Sequence, residues 1–260
     1  SLIHFKYSLL PSLMGIFKIH GTSYECSSKI SFSSKGYLFE PGINIPLLIY
    51  NPFNEGNKII NDLVTVTDLT ATILDYAGID KPKYMTGNSF LKSDFNREYV
   101  YAARDQWDEI MDKSRAIVTK KWKYIRNYKP EIPYDAGQAY LEFYRPAVHI
   151  MRAAKSKNLL TDVQLHFFKE SKDLEELYDL ENDPHEINNL ALEPSFQNVM
   201  NKFRIDMEKY NERYSPMSDE YEPIIAESVV ILEWVKKNRP EEYKRMLEGY
   251  EIGFSKSKDE

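Results

Sequence analysis

The sequence predicts a mixed chain, α/β towards its N-terminal end with an α+β C-terminal subdomain, on three observations. The apolar run Ile45–Tyr50, closed by the turn pair Asn51-Pro52, predicts a buried strand. Thr67-Asp68, able to cap free backbone N–H groups, precedes Leu69, Ile73 and Tyr76-Ala77 at helical spacing, and Gly78 supplies the stop. Ala116–Thr119 and Trp122–Arg126, flanking Lys120-Lys121, predict an antiparallel hairpin.

Taken in order, residues 1–34 form an atypical segment: Ser1–Phe5 reads as a strand remnant and Gly21–Ser34 as loop. Residues 35–95 then carry the strand and the capped helix, and a polar shift at Asp94–Arg97 marks a boundary. Residues 96–214 form the C-terminal subdomain. In it Glu98–Ala103 reads as a short strand and Arg104–Arg115 as a charged loop. The Pro- and aromatic-rich stretch 128–170 is an insertion, with a helix over Ala147–Leu160 that turns Arg152 and Lys155 outward. Glu176–Leu180 is a strand, Asp183-Pro184 a bend, and Gln197–Tyr210 a helix with Val199, Phe203 and Met207 on one face. Residues 215–260 are a helical extension, with helices over Pro223–Trp234 and Glu241–Tyr250 and a break at Pro240.

Composition narrows the function classes. The 260 residues are 42% hydrophobic and 13% aromatic, enough apolar material for a core, and the 19 tyrosines suit strands or a ligand-facing surface. A net charge of −6 excludes a general nucleic-acid binder, which needs a basic excess to neutralise phosphates. Cys26, the single cysteine, has no partner for an internal disulfide. No apolar run reaches the roughly 18 residues of a membrane-spanning helix. The apolar residues 1–19 are interrupted by Lys6, Pro11 and Lys18, so no export leader is expected there, and the true start is expected upstream of Ser1.

Two constellations carry chemistry. Lys35 beside Gly36 can form an anion site: glycine lets the backbone approach a ligand and the ammonium is a compact charge. The plain alternative is a solvated loop lysine. In the charged stretch, Arg104 and Arg115 can fork onto sulfate or carboxylate, Asp105, Asp108 and Glu109 can accept from sugar hydroxyls, and Trp107 can stack on a sugar face. The alternative there is a loop paired within itself, with Arg115 on Asp112. His185 has no second ligand at metal spacing and reads as exposed and structural.

Lys35-Gly36, Glu40, Gly42 and Pro46-Leu47 resemble the K-G-x-x-Y-E-x-G-x-R-x-P-L segment of the sulfatases, a branch of the alkaline-phosphatase-like superfamily, with Phe39 for the tyrosine and Asn44 for the arginine. Asp68–Gly78 and Met85–Leu91 are similar to two further family segments, with Ala71 where proline is usual. Arg104–Ala116 resembles the substrate-side motif of bacterial heparan N-sulfatase-like and arylsulfatase-like enzymes, with Trp107 at a histidine position. Glu176–Leu190 resembles a C-terminal sulfatase signature.

The resemblance implies the end of an alkaline-phosphatase-like core, followed by a small antiparallel sheet with packing helices and a lid-like insertion. It implies hydrolysis of a sulfate ester or sulfamate on a sulfated carbohydrate, by a formylglycine nucleophile and calcium. Lys35 would hold the sulfate oxygens, and Arg104, Asp105, Trp107, Asp108, Glu109 and Arg115 would meet the sugar. Cys26 lacks the proline and arginine of the family's nucleophile motif, and Glu25 is the only acid before Glu40, so this chain alone is expected to bind no calcium and to be inactive. Nucleophile and metal ligands are expected in an N-terminal sulfatase half. The family implies a periplasmic, secreted or lysosomal location. The alternatives are a non-catalytic glycan-binding or interaction subunit, an inactive gene fragment, and a phosphodiesterase or phosphonate hydrolase of the same superfamily.

Overall fold

The computed structural model describes residues 3–4, 16–19, 36–45, 47–50, 61–107, 110–136, 146–214, 228–241 and 243–244. Cys26, Lys35, Asp108 and Glu109 lie outside them, as does the side chain of Trp107.

Strands β1 (Ile3–His4), β2 (Ile16–Ile19) and β3 (Leu47–Tyr50) form one sheet in that order. The expected strand is present, but it is not buried: Ile49 is 43% exposed. It pairs antiparallel with β2, Ile16 opposite Tyr50. A short apolar run reports strand propensity and not what covers the strand.

Helix α1 (Glu40–Ile43) is a single turn ahead of β3, and α2 is Val66–Tyr76. The N-cap of α2 is Thr65, two residues before the expected start. Asp68 sits at the third position and its Oδ2 accepts from Thr65 N at 2.8 Å, one arm of a capping box. Gly78 follows in the left-handed conformation, φ 68°. The expected apolar face is not the one α2 buries. Asp68, Ala71 and Thr72 are buried, whereas Val66, Ile73 and Tyr76 are exposed. Hydrogen bonds dictate the choice: Asp68 Oδ1 accepts from Asn88 N, and Thr72 Oγ1 from Phe90 N.

The second sheet is antiparallel, ordered β4 (Val100–Trp107), β5 (Ile110–Val118), β6 (Trp122–Asn127), β7 (Glu175–Asp179). The β5–β6 hairpin turns at Lys120-Lys121 as its residues require. The expected charged loop is instead the tip of the β4–β5 hairpin. Arg104 pairs with Ser114 and Gln106 with Met111, so Asp112 and Lys113 together oppose Asp105 in a bulge. Charge does not prevent strand formation where each charge finds a partner.

Side chains alternate across the sheet. On one face Ile117, Tyr124 and Leu177 pack on Met200, Phe203 and Met207 of α5 (Gln197–Tyr214). The ring of Phe203 stacks on Tyr124 at 5.8 Å. Burying each such side chain contributes about 1.5–3 kcal/mol. On the other face Ala116, Ile125 and Tyr178 pack on Leu38, so residues 36–43 lie across the sheet as a strap. Asn189 closes the outer edge of β7: its Oδ1 accepts from Leu177 N and its Nδ2 donates to Glu175 O, as a neighbouring strand would.

The insertion holds α3 (Pro146–Ser156), the short α4 (Asp162–Leu165) and a helical turn at His166–Phe168. Tyr37, Val148, Phe167 and Phe168 form its core. The two cations expected to face solvent are engaged. Arg152 pairs with Asp135, and Lys155 Nζ donates to Phe168 O at 3.3 Å. A further helix, α6, spans Ser228–Asn238. Among the described residues no helix is long and apolar enough to cross a membrane.

Candidate functional site

Arg104 is the centre of the strap-side face. Strand alternation turns it with Ser114 and Asn127 towards the strap, and it is 9% exposed. Its Nη1 donates to Gly36 O at 3.1 Å, its Nε lies 3.4 Å from Asp112 Oδ2, and its guanidinium sits 4.8 Å over the Tyr37 ring. Gly36 has φ 102°, a conformation open to glycine. The arginine thus grips the strap at the residue after Lys35. The β5 bulge brings Asp112 within reach of both Arg104 and buried Lys172. Burial holds the Lys172 ammonium below its usual range, opposed by the Asp112 carboxylate.

Arg115 points the other way. It is opposite Ala103 in the ladder, on the face that carries α5. Its Nη1 donates to Arg104 O and its Nη2 meets Asp105 Oδ1 at 2.7 Å. The Arg115–Asp112 pair of the self-paired alternative is exchanged: Arg104 holds Asp112, and Arg115 holds Asp105. The two arginines do not converge on one point, and both guanidinium groups are tied to protein partners.

Beneath the strap runs a buried polar network. Ser114 Oγ donates to Asn127 Oδ1 at 2.8 Å, and Asn127 Nδ2 to Glu176 Oε1 at 2.7 Å. Glu176 also accepts from Tyr134 and Tyr178 hydroxyls, and Tyr37 Oη donates to Tyr134 O. Burial pushes the Tyr37 phenol up to about 12 and Tyr134 upward as well, so both stay protonated donors. Tyr37, Phe39, Arg104, Asp112 and Tyr134 line a cavity of about 10 Å³. That is about the space of one water and far below that of a sugar, so any glycan must bind outside it.

A second ionic cluster lies at the far end of the strap. Lys123, fully buried on β6, meets Glu40 Oε1 at 2.7 Å and Glu186 Oε1 at 2.8 Å. Glu40 N donates to Glu186 Oε2 at 2.6 Å. Burial pushes the Glu186 carboxyl up to about 7 despite Lys123. His185, beside it, is exposed.

Sequence reasoning missed Lys123, Lys172, Asp112 as the partner of Arg104, and Glu176. Lys123 was read only as part of the hairpin. Its one signal was a lysine between Trp122 and Tyr124, where alternation puts it on the face opposite Tyr124. Among the described residues no group of three His, Cys, Asp or Glu side chains is placed to hold a metal ion. Asp112, Glu176, Glu40 and Glu186 are each engaged by cations or hydroxyls.

Comparison with known proteins places this arrangement. A family model described as N-sulphoglucosamine sulphohydrolase, C-terminal, matches residues 29–138. An ulvan-active sulfatase of Formosa agariphila is 34% identical over 180 residues, 68% of this chain and 30% of that protein. Human N-sulphoglucosamine sulphohydrolase is 24% identical over 195 residues, 68% of this chain and 38% of that protein. A crystal structure of a sulfatase candidate from Bacteroides thetaiotaomicron shares the fold at TM-score 0.50 and 19% identity, over 73% of this chain and 35% of that one. The chain belongs to the sulfatase family and corresponds to its C-terminal portion. It spans 30% and 38% of the length of the two named relatives.

Proposed function

We propose that these 260 residues supply the substrate-facing C-terminal part of a sulfatase that hydrolyses sulfate esters or sulfamates of sulfated glycans. The Arg104–Gly36 contact carries the reading: it ties the substrate-side motif to the loop of the candidate sulfate-binding lysine. Lys35 supplies a point charge to the sulfate oxygens. Arg104 and Arg115, being internally paired, set the strap and Asp105 in place. Asp105, Trp107, Asp108 and Glu109 read the sugar.

A formylglycine nucleophile and calcium would supply the attacking oxygen and further charge on the sulfuryl group in the complete enzyme. Asp112, Glu176, Glu40 and Glu186 do not fit a calcium site, since each is engaged by a cation or a hydroxyl, and among the described residues no three acidic, His or Cys side chains are grouped for a metal. Both groups are therefore assigned to an N-terminal part outside these residues. The exposed apolar stripe of α2 supports a partner of that kind.

Sulfate release from an aryl sulfate tests the reading. The chain alone is expected to give none. Joined to an N-terminal sulfatase half bearing the nucleophile motif, it is expected to turn over and to lose that rate in Lys35→Ala. Turnover by the chain alone would overturn the assignment of the nucleophile elsewhere. Retention of sulfated oligosaccharide without turnover in either form would favour a binding subunit.

A further inference from the structure

We propose that Lys123, Glu40 and Glu186 form a buried clasp that positions the strap of residues 36–44, and through it the lysine that precedes it, for sulfate binding. The inference rests on the reading of Lys35 given above. Three separated segments meet here: the strap, β6 and the turn after Asp183-Pro184, with Glu40 and Glu186 146 residues apart. Lys123 is 0% exposed and has contacts to both carboxylates under 3 Å, at 2.7 and 2.8 Å. A buried ammonium without its carboxylates is very costly, so the three charges assemble together or not at all.

The local backbone is organised around this contact. Glu186 is one of two non-glycine residues in the left-handed region among those described, with φ 55°. A side chain there is strained, and such strain persists where surrounding contacts enforce it. Asp183 does so: its Oδ2 accepts from Ile187 N and Asn188 N, each at 2.8 Å, and its carbonyl from Glu186 N. The carboxylate is thereby aimed at Lys123 and at the amide of Glu40. Glu40 passes the restraint along the strap, since its Oε2 accepts from Asn44 Nδ2 at 2.7 Å and its carbonyl from Asn44 N. With Arg104 on Gly36 at the other end, the strap is held at both termini. Lys123 is fully buried, so no ligand reaches its ammonium, and the members of the cluster are positioning residues.

The test is hydrogen exchange of the amides of residues 36–44 in the full chain, beside calorimetric titration with inorganic sulfate. The double variant Lys123→Met/Glu186→Gln removes one charge of each sign and avoids leaving a lone buried ammonium. It is expected to speed exchange of 36–44 by about tenfold or more, with residues 197–214 unchanged. Its sulfate affinity is expected to fall about tenfold, whereas Lys35→Ala loses sulfate without altering exchange. Unchanged strap exchange in the double variant would overturn the clasp. Faster exchange in a chain whose wild type binds no sulfate would leave the clasp as an anchor of the strap and overturn the role of Lys35.

Discussion

Arg104 reaches from β4 to the carbonyl oxygen of Gly36, 68 residues earlier, at 3.1 Å. The same guanidinium faces Asp112 and covers the Tyr37 ring, so one side chain joins the sheet, the bulge and the strap. Arg104→Ala removes all three contacts. Breaking a buried pair costs about 3–5 kcal/mol when the remaining charge is stranded. Asp112 retains Lys172, so a loss of about 2–4 kcal/mol is expected. Arg104→Lys keeps a charge but not the planar fork, and is expected to lose roughly half as much. Urea denaturation of each variant measures this, and an unchanged midpoint in Arg104→Ala would show that the contacts do not hold the strap.

Glu186 gives the fold a pH dependence of defined sign. The groups facing it are Lys123 on β6, Glu40 on the strap and Tyr178 on β7. Burial is the largest effect and raises the carboxyl from 4.5 to about 7; Lys123 opposes it. The folded state therefore holds this proton more tightly than the unfolded chain. Its stabilisation is fully present below pH 4.5 and is lost as pH rises through about 7. Glu175 has the opposite sign: Arg204 holds its carboxyl below the usual value, so its contribution is lost in acid. Glu186→Gln is expected to flatten the fall between pH 4.5 and about 7 while leaving the acid limb in place. Equal slopes for both proteins in denaturation across that window would rule out Glu186 as the source.

What the sequence revealed followed local chemistry. Gly78, the hairpin at Lys120-Lys121, the strand at Tyr178 and the Phe203/Met207 face of α5 each answer to turn chemistry or to a period read within one element. What stayed hidden needed long-range pairing. Arg104–Arg115 looked like a loop because charges at that density are usually solvated, and only the partners Asp112, Lys172 and Gly36 make it a hairpin. The apolar period of α2 was seen correctly, yet the hydrogen bonds of Asp68 and Thr72 turned the opposite face inward. Asn189 carries no local signal for its place in the fold, where its amide supplies both a donor and an acceptor to β7. The Lys35 and Arg104 motifs were identifiable as candidates, but that Arg104 and Arg115 serve opposite faces follows from strand register, which no single segment encodes.

Two glycines flanking α2 are expected to respond very differently to alanine. A Cβ on Gly87 would lie 2.0 Å from Thr67 O and 2.8 Å from Asp68 N, both backbone atoms at the start of α2. The segment would have to move away, taking Asn88 N off Asp68 Oδ1 and Gly87 O off Lys81 Nζ. Overpacking with loss of a buried hydrogen bond predicts a cost of about 3–5 kcal/mol for Gly87→Ala. Gly78 has open space around its Cβ position but φ 68°, so Gly78→Ala carries only backbone strain, about 1–2 kcal/mol. Thermal melts of the two variants should rank them in that order. Equal shifts would show that the approach of Gly87 to Thr67 can relax freely.

The outward stripe of α2 separates packing within this chain from packing against something else. Val66 is 71% exposed, Ile73 41% and Tyr76 37%, while Ala71 on the opposite side is 2% exposed. Substitutions on the stripe should therefore hardly affect the stability of the chain by itself. Val66→Gln and Ile73→Gln are each expected to stay within about 0.5 kcal/mol of wild type in denaturation. Ala71→Leu, which overfills a packed position, should cost about 1–3 kcal/mol. The stripe variants are also expected to reduce self-association at high concentration, because an apolar patch seeks cover in another molecule when its partner is absent. Light scattering measures that effect. If an N-terminal sulfatase part covers the stripe, the same two glutamine variants should weaken its association with the chain while leaving the chain's own melting unchanged. A large loss of stability in Ile73→Gln alone would instead mean that the stripe is already covered within these residues.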